Sequence, residues 1–208
     1  MKSLTVKEYS AIWSQFDLHS PYDIPVVKRQ KIEVKDVIGF NYCMSGVDKL
    51  VEGEEPTIHF FLDDHEFERL WNNPNRYREL LGRFNGMFTP DFSLYNDFPF
   101  CVQIFNTFRN RFCGALWQSW GLKVVPTVGW GDEDSFDFCF DGIEEGSDVA
   151  LSTRGVMREG EKTRAAFMAG YNELLARVQP ETIYLYGSDP KRLGLEGNIV
   201  HFPYKEHF

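Results

Sequence analysis

Two carboxylates, Asp91 and Asp132, each follow closely on a strand-like segment of this chain. A carboxylate at a strand end can take up a proton or ligate a metal ion. Asp91 stands in Thr89-Pro90-Asp91-Phe92-Ser93, between a short strand and the strongest helix of the sequence. Paired carboxylates activate water directly or through Mg²⁺, so hydrolysis is the simplest chemistry such a pair supports. Ser93, Thr153 and Arg109 would orient a phosphate-bearing or sugar-like substrate, the guanidinium fork of Arg109 suiting a phosphate. Asn106 is counted with them as a ligand-binding residue. Trp130 and Tyr186, rings at the ends of two further strands, would supply a platform for a ligand.

Each of these residues also has a plainer reading. Asp63 and Asp64, at another strand end, can cap the helix that follows. The run from Gly131 to Asp148 holds eight acids and no base, as a solvated loop would. Ser152 and Thr153 can bond local backbone, Tyr186-Gly187 can form a turn, and Arg109 can sit in a structural ion pair.

The elements that must position these groups alternate between strand and helix. Strand-like runs occupy Asp36–Tyr42, Thr57–Leu62, Gly86–Phe88, Leu122–Val128, Ser135–Phe140, Asp148–Thr153, Thr182–Tyr186 and Asn198–Phe202. Pro126 inside the fourth run is unusual, because proline prefers strand edges or ends. Helical spacing follows Asp64 (Phe67, Leu70, Trp71) and Pro74 (Tyr77, Leu80, Leu81, Phe84). A long helix runs from an Asp97 N-cap to a Gly121 C-terminus, with an apolar stripe of Cys101, Ile104, Phe105, Phe108, Phe112, Ala115 and Leu116. Gln103, Asn106, Asn110 and Gln118 make its opposite face. A last helix spans about 159–178 and buries Phe167, Met168, Tyr171 and Leu174.

This alternation specifies an α/β fold with a largely parallel sheet. Eight strand-like runs point to a compact TIM-barrel-like form, the alternative being an open doubly wound sheet. Both bind ligands at the carboxyl ends of the strands, where the polar residues above collect. Residues 1–35, with an amphipathic stretch from Val6 to Phe16, form an arm, and residues 36–208 a single domain.

Composition narrows the function classes. The chain has 208 residues, 43% of them hydrophobic and 16% aromatic, enough for a Phe-rich core. A net charge of −9 makes nucleic acid a poor partner. The start of the chain has no apolar signal region and no run reaches membrane-spanning length, so a cytoplasmic protein without membrane contact is expected. Cys43, Cys101, Cys113 and Cys139 have no CxxC spacing and no His pairing, which indicates free thiols rather than zinc. The phosphate-loop, Rossmann, zincin and α/β-hydrolase signatures are all missing.

From about 85 to 190 the sequence resembles a family of bacterial chromosomes, mobile elements and phages called domain of unknown function 4417. Thr89-Pro90-Asp91-Phe92-Ser93, Gln103, Asn106, Arg109, Arg111, Pro126 and Trp130 carry the resemblance, with Phe138, Gly142-Ile143, Ser152-Thr153 and Gly155 further on. It implies a phage or mobile-element setting and brings no activity or cofactor with it. Beside the small hydrolase stands a second reading, a non-catalytic protein that captures a host protein or a small ligand. In that case the acidic run 131–148 would meet a basic host partner.

Overall fold

The structure, a computed structural model, describes residues 15–19, 21–154, 156 and 160–204. Strands β3 (Val37–Gly39), β4 (Thr57–His59), β5 (Gly86–Phe88) and β6 (Val124–Val125) form a parallel sheet in that order. Strands β7 (Val149–Ser152), β8 (Ile183–Gly187) and β9 (Ile199–Pro203) form a second parallel sheet. A parallel bridge between Thr127 and Ala150 joins the two. Val128 N–H donates to Ala150 O at 2.9 Å, and Ala150 N–H donates to Pro126 O at 2.9 Å. Pro126 thus sits at the seam, where only its carbonyl is needed. The first two strands, β1 (Leu18–His19) and β2 (Ile24–Pro25), make a small antiparallel ribbon ahead of the sheets.

Helices supply most of the crossovers that parallel strands require. They are α1 (Phe40–Gly46), α2 (Asp64–Asn72), α3 (Arg78–Leu81), α4 (Phe100–Ser119), α5 (Glu161–Arg177) and α6 (Pro190–Leu193). One apolar cluster joins α1–α4 to β3–β6 around Phe40, Phe60, Phe67 and Trp117, and another joins α5 to the second sheet around Phe138, Tyr171 and Leu185. A third gathers Phe61, Phe88, Val125, Ala150, Tyr184, Tyr186 and Phe202, drawing on strands of both sheets and on Ile32 and Val34 of the arm. The fold is α/β with parallel sheets, as the alternation indicates.

Seven of the eight strand-like runs contain a strand, and two depart from expectation. The run Asp36–Tyr42 stops being a strand at Gly39. Phe40 opens α1, whose spacing buries both Phe40 and Cys43 and lays the Phe40 ring on Phe60 at 5.1 Å. The alternating run Ser135–Phe140 is no strand: Glu133–Asp137 is a 3-10 helix. Cys139 is buried in the same cluster as Phe136, Phe138 and Phe140, whereas a strand would have turned it to the face opposite the three rings. Its carbonyls find side-chain donors instead, Arg177 bonding Phe136 O at 2.7 Å and Arg111 bonding Cys139 O at 2.7 Å. Most of the stretch expected to be helical from Val6 to Phe16 lies outside the described residues.

The basic group Lys28, Arg29 and Lys31 ties the arm down. Lys28 pairs with Asp17 and Glu144, Arg29 with Glu181, and Lys31 with Asp148 and Glu181. Part of the acidic run 131–148 is therefore neutralised from within the chain.

Candidate functional site

Helix α4 lies the other way round from its expected orientation in its first half. Gln103, Asn106, Thr107 and Asn110 are buried, whereas Cys101, Val102 and Phe105 are exposed. The reason is what lies beneath. Past the ends of β5 and β6 the backbone leaves the ladder, and its carbonyls need donors. Asn110 Nδ2 donates to Pro90 O at 2.9 Å and to Thr127 O at 3.1 Å. Asn106 Nδ2 donates to Ser93 O at 2.7 Å. Thr89 Oγ1 donates to Asn110 Oδ1 at 2.6 Å and accepts the Thr127 N–H at 2.7 Å. Close approach is possible because Gly114 faces the sheet: a Cβ there would lie 2.7 Å from Thr89 Cγ2.

Arg111, next to this face, is 1% exposed and bonds no carboxylate. Its guanidinium donates to Asn110 Oδ1 at 2.6 Å, Thr127 O at 2.8 Å, Cys139 O at 2.7 Å and Asp141 O at 2.9 Å. Burial lowers its pKa to about 10. Arg111 is the clamp that holds the loop after β6 to the start of the sheet's carboxyl edge.

Asp91 sits over this scaffold. It lines a cavity of about 10 Å³ with Asn106, Asn110, Arg111, Thr127 and Gly129, room for about one water. Among the described residues its carboxylate has no hydrogen-bond or ion-pair partner. Burial pushes its pKa up to about 7; the negative charge of Asp64 adds to the rise, and Arg154 opposes it. A carboxyl group with such a value exchanges its proton near neutral pH, which an acid or base catalyst requires.

Neither Asp63 nor Asp64 caps α2 with its side chain. Asp63 instead meets Arg154 at 3.4 Å. Asp64 accepts from Ser93 Oγ at 2.8 Å and from Ser93 N–H at 3.2 Å. Arg109 donates to Glu68 Oε1 at 2.9 Å and Asn106 Oδ1 at 2.6 Å, with its guanidinium 3.8 Å from the Phe92 ring centre. Asp91, Ser93, Asn106 and Arg109 thus come together.

The other candidates lie apart. Thr153 is buried at a neighbouring strand end, accepting from Ser188 N–H at 2.6 Å. Asp132 is exposed ahead of the 3-10 helix, its carbonyl accepting from Ser135 Oγ at 2.6 Å. Trp130 packs on Phe167 at 5.4 Å and closes over Gly170. Tyr186 is buried, 4.4 Å from His59 and 5.5 Å from Phe61, ring centre to ring centre. Gly155 is outside the described residues. Asn110, Arg111 and Thr127 had no place among the sequence candidates. The available signal was chemical: a solvated helix face usually carries charges, and this one carries uncharged amides at helical spacing.

Among the described residues no three His, Cys, Asp or Glu side chains stand together as metal ligands. A divalent cation at Asp91 and Asp64 would have to draw further oxygens from water or substrate. Among the same residues no helix is long and apolar enough to cross a membrane.

Residues 16–203 match the family model described as Domain of unknown function (DUF4417). The chain belongs to this family. Its curated relatives include two phage proteins, each called Gene 1 protein. That of Mycobacterium phage D29 is 40% identical over 172 residues, covering 83% of this chain and 63% of the relative. That of Mycobacterium phage L5 is 45% identical over 130 residues, covering 62% of this chain and 56% of the relative. The chain therefore spans less than two thirds of the length of either. No solved structure matches it. The family match takes in every element described above, including the Asp91 segment and the polar face of α4.

Proposed function

We propose that this family member is a small hydrolase whose general acid and base is Asp91, acting at the carboxyl ends of the strands. The observation that carries the reading is the place of Asp91: its half-buried carboxyl group, without a partner among the described residues, lines the small cavity past the ends of β5 and β6, where burial raises its pKa to about 7. Left alone, such a group costs stability, and functional sites are where that cost is tolerated. In the reaction Asp91 takes a proton from the attacking water and returns it to the leaving oxygen. In this reading the two sheets curl toward a TIM-barrel-like form, which the contact between the rings of His59 on β4 and Tyr186 on β8 supports. The four free cysteines, three of them buried, agree with a reducing, cytoplasmic setting.

Of the two substrate classes considered, sugar-containing ones suit the charge better. Beside Asp91 the charges of Asp63 and Asp64 outnumber that of Arg154, so a phosphate would need Mg²⁺ to screen it. Screening glycosides, nucleotides and phosphodiesters with and without Mg²⁺ tests this. Turnover should fall about 100-fold or more in Asp91→Asn. An Asp91→Asn protein with full turnover removes Asp91 from the chemistry.

A second reading, a capturing protein, draws on the exposed Tyr95, Phe100 and Phe105 beside the site. These rings are more open to a partner than Trp130 and Tyr186.

A further inference from the structure

The side chains around Asp91 form a closed circuit. Asp64 and Glu68 stand one turn apart on α2; Asp64 reaches Ser93 in the segment that carries Asp91, and Glu68 reaches Arg109 on α4. Ser93 donates its hydroxyl and its N–H to Asp64. The Ser93 carbonyl accepts from Asn106, Asn106 Oδ1 accepts from Arg109, and Arg109 returns to both oxygens of Glu68 at 2.9 and 3.0 Å. Every polar link runs donor to acceptor, and stacking of Arg109 on Phe92 fixes the plane of the fork.

We propose that Asp64 is a positioning residue for Asp91: the circuit through Ser93, Asn106, Arg109 and Glu68 holds the Asp64 carboxylate as a fixed acceptor beside Asp91 and leaves Asp91 as the proton carrier. This rests on the reading of Asp91 as the acid and base. Two carboxyl groups in unlike surroundings can divide the work, one accepting hydrogen bonds and the other, enclosed in a drier setting, exchanging a proton. Asp64 has the hydrogen bonds and Asp91 has none among the described residues. The other charged groups near the pair have their own partners: Asp63 holds Arg154, Glu68 holds Arg109, and Arg111 is spent on backbone carbonyls. Asp64 is thus the nearby negative charge that bears on Asp91, and Arg154 the opposing positive one.

Carboxyl-carbon NMR titration of Asp91 in the full chain tests this without a substrate. In Asp64→Asn the Asp91 midpoint should fall by about half a pH unit or more, because a like charge has gone. Ser93→Ala should move it in the same direction by loosening Asp64, while Glu54→Gln, far from the site, leaves it in place. An Asp91 midpoint unchanged in both Asp64→Asn and Ser93→Ala, with the fold retained by circular dichroism, overturns the inference. A shift in Asp64→Asn alone overturns the role of the circuit. If both variants shift the midpoint and no substrate class is turned over, the positioning stands and the hydrolase reading falls.

Discussion

Replacing Asp91 by Asn should make the protein more stable in alkali and flatten its stability in the range from pH 4 to 7. In the folded chain Asp91 holds its proton up to about pH 7, against an ordinary carboxyl value of 3.8. Between those values the folded state binds the proton and the unfolded state has lost it. Stability contributed by this group is therefore full below pH 4, declines as pH rises, and is gone above about pH 7. At about 1.4 kcal/mol per pH unit the full interval amounts to about 4 kcal/mol. Asp91 keeps some exposed surface, so the realised difference should be about 2–4 kcal/mol. Asparagine has the same shape and no charge to desolvate. Urea unfolding of both proteins at pH 4.5 and pH 8 measures the effect. The wild type should lose stability between the two conditions, and Asp91→Asn should lose about 2–4 kcal/mol less, appearing as a midpoint gap of about 1 M urea at pH 8. Other raised groups, such as Asp141, slope the same way in both proteins and cancel in the comparison. Parallel pH curves for the two proteins would refute the enclosed, proton-holding carboxyl on which the functional reading depends.

Three further outcomes follow from the same geometry. Arg111→Met should cost about 2–4 kcal/mol in urea unfolding, because Cys139 O and Asp141 O lose their donor; a loss below about 1 kcal/mol would mean that water replaces the clamp. Gly170→Ala should lower the melting temperature by several degrees, since a Cβ there would lie 2.3 Å from the Trp130 ring, and overpacking of this kind costs about 1–3 kcal/mol; an unchanged melting point would show that the indole moves aside freely. With a thiol reagent at pH 8, Cys101 should react promptly and the other three cysteines only on unfolding, because Cys101 is exposed and burial raises the pKa of Cys43 and of Cys139 to about 12 and that of Cys113 further. A second thiol that reacts at the rate of Cys101 would count against that burial.

What could be read from the sequence was what depends on short-range periodicity. The strand at Gly86–Phe88 was legible to the residue, α5 to within a few residues, and the stop of α4 by its glycine, Gly121, which takes a left-handed φ of 81°. The Asp91 segment stood out because an acid and a serine follow a strand end and precede a long helix. Tertiary structure decided the rest. Periodicity places residues on a common helix face without saying which face turns inward. In α4 the unpaired carbonyls beyond β5 and β6 settle that, because leaving them dry would cost more than exposing Phe105. The same need for backbone partners turns Ser135–Phe140 from a strand into a 3-10 turn and a following loop held by Arg111 and Arg177. The approach of Asp64, rather than Asp132, to the Asp91 segment through Ser93 is likewise a tertiary fact. Twenty-six residues of chain separate Asp64 from Asp91, and only the parallel stacking of β4 on β5 brings their carboxyl ends side by side.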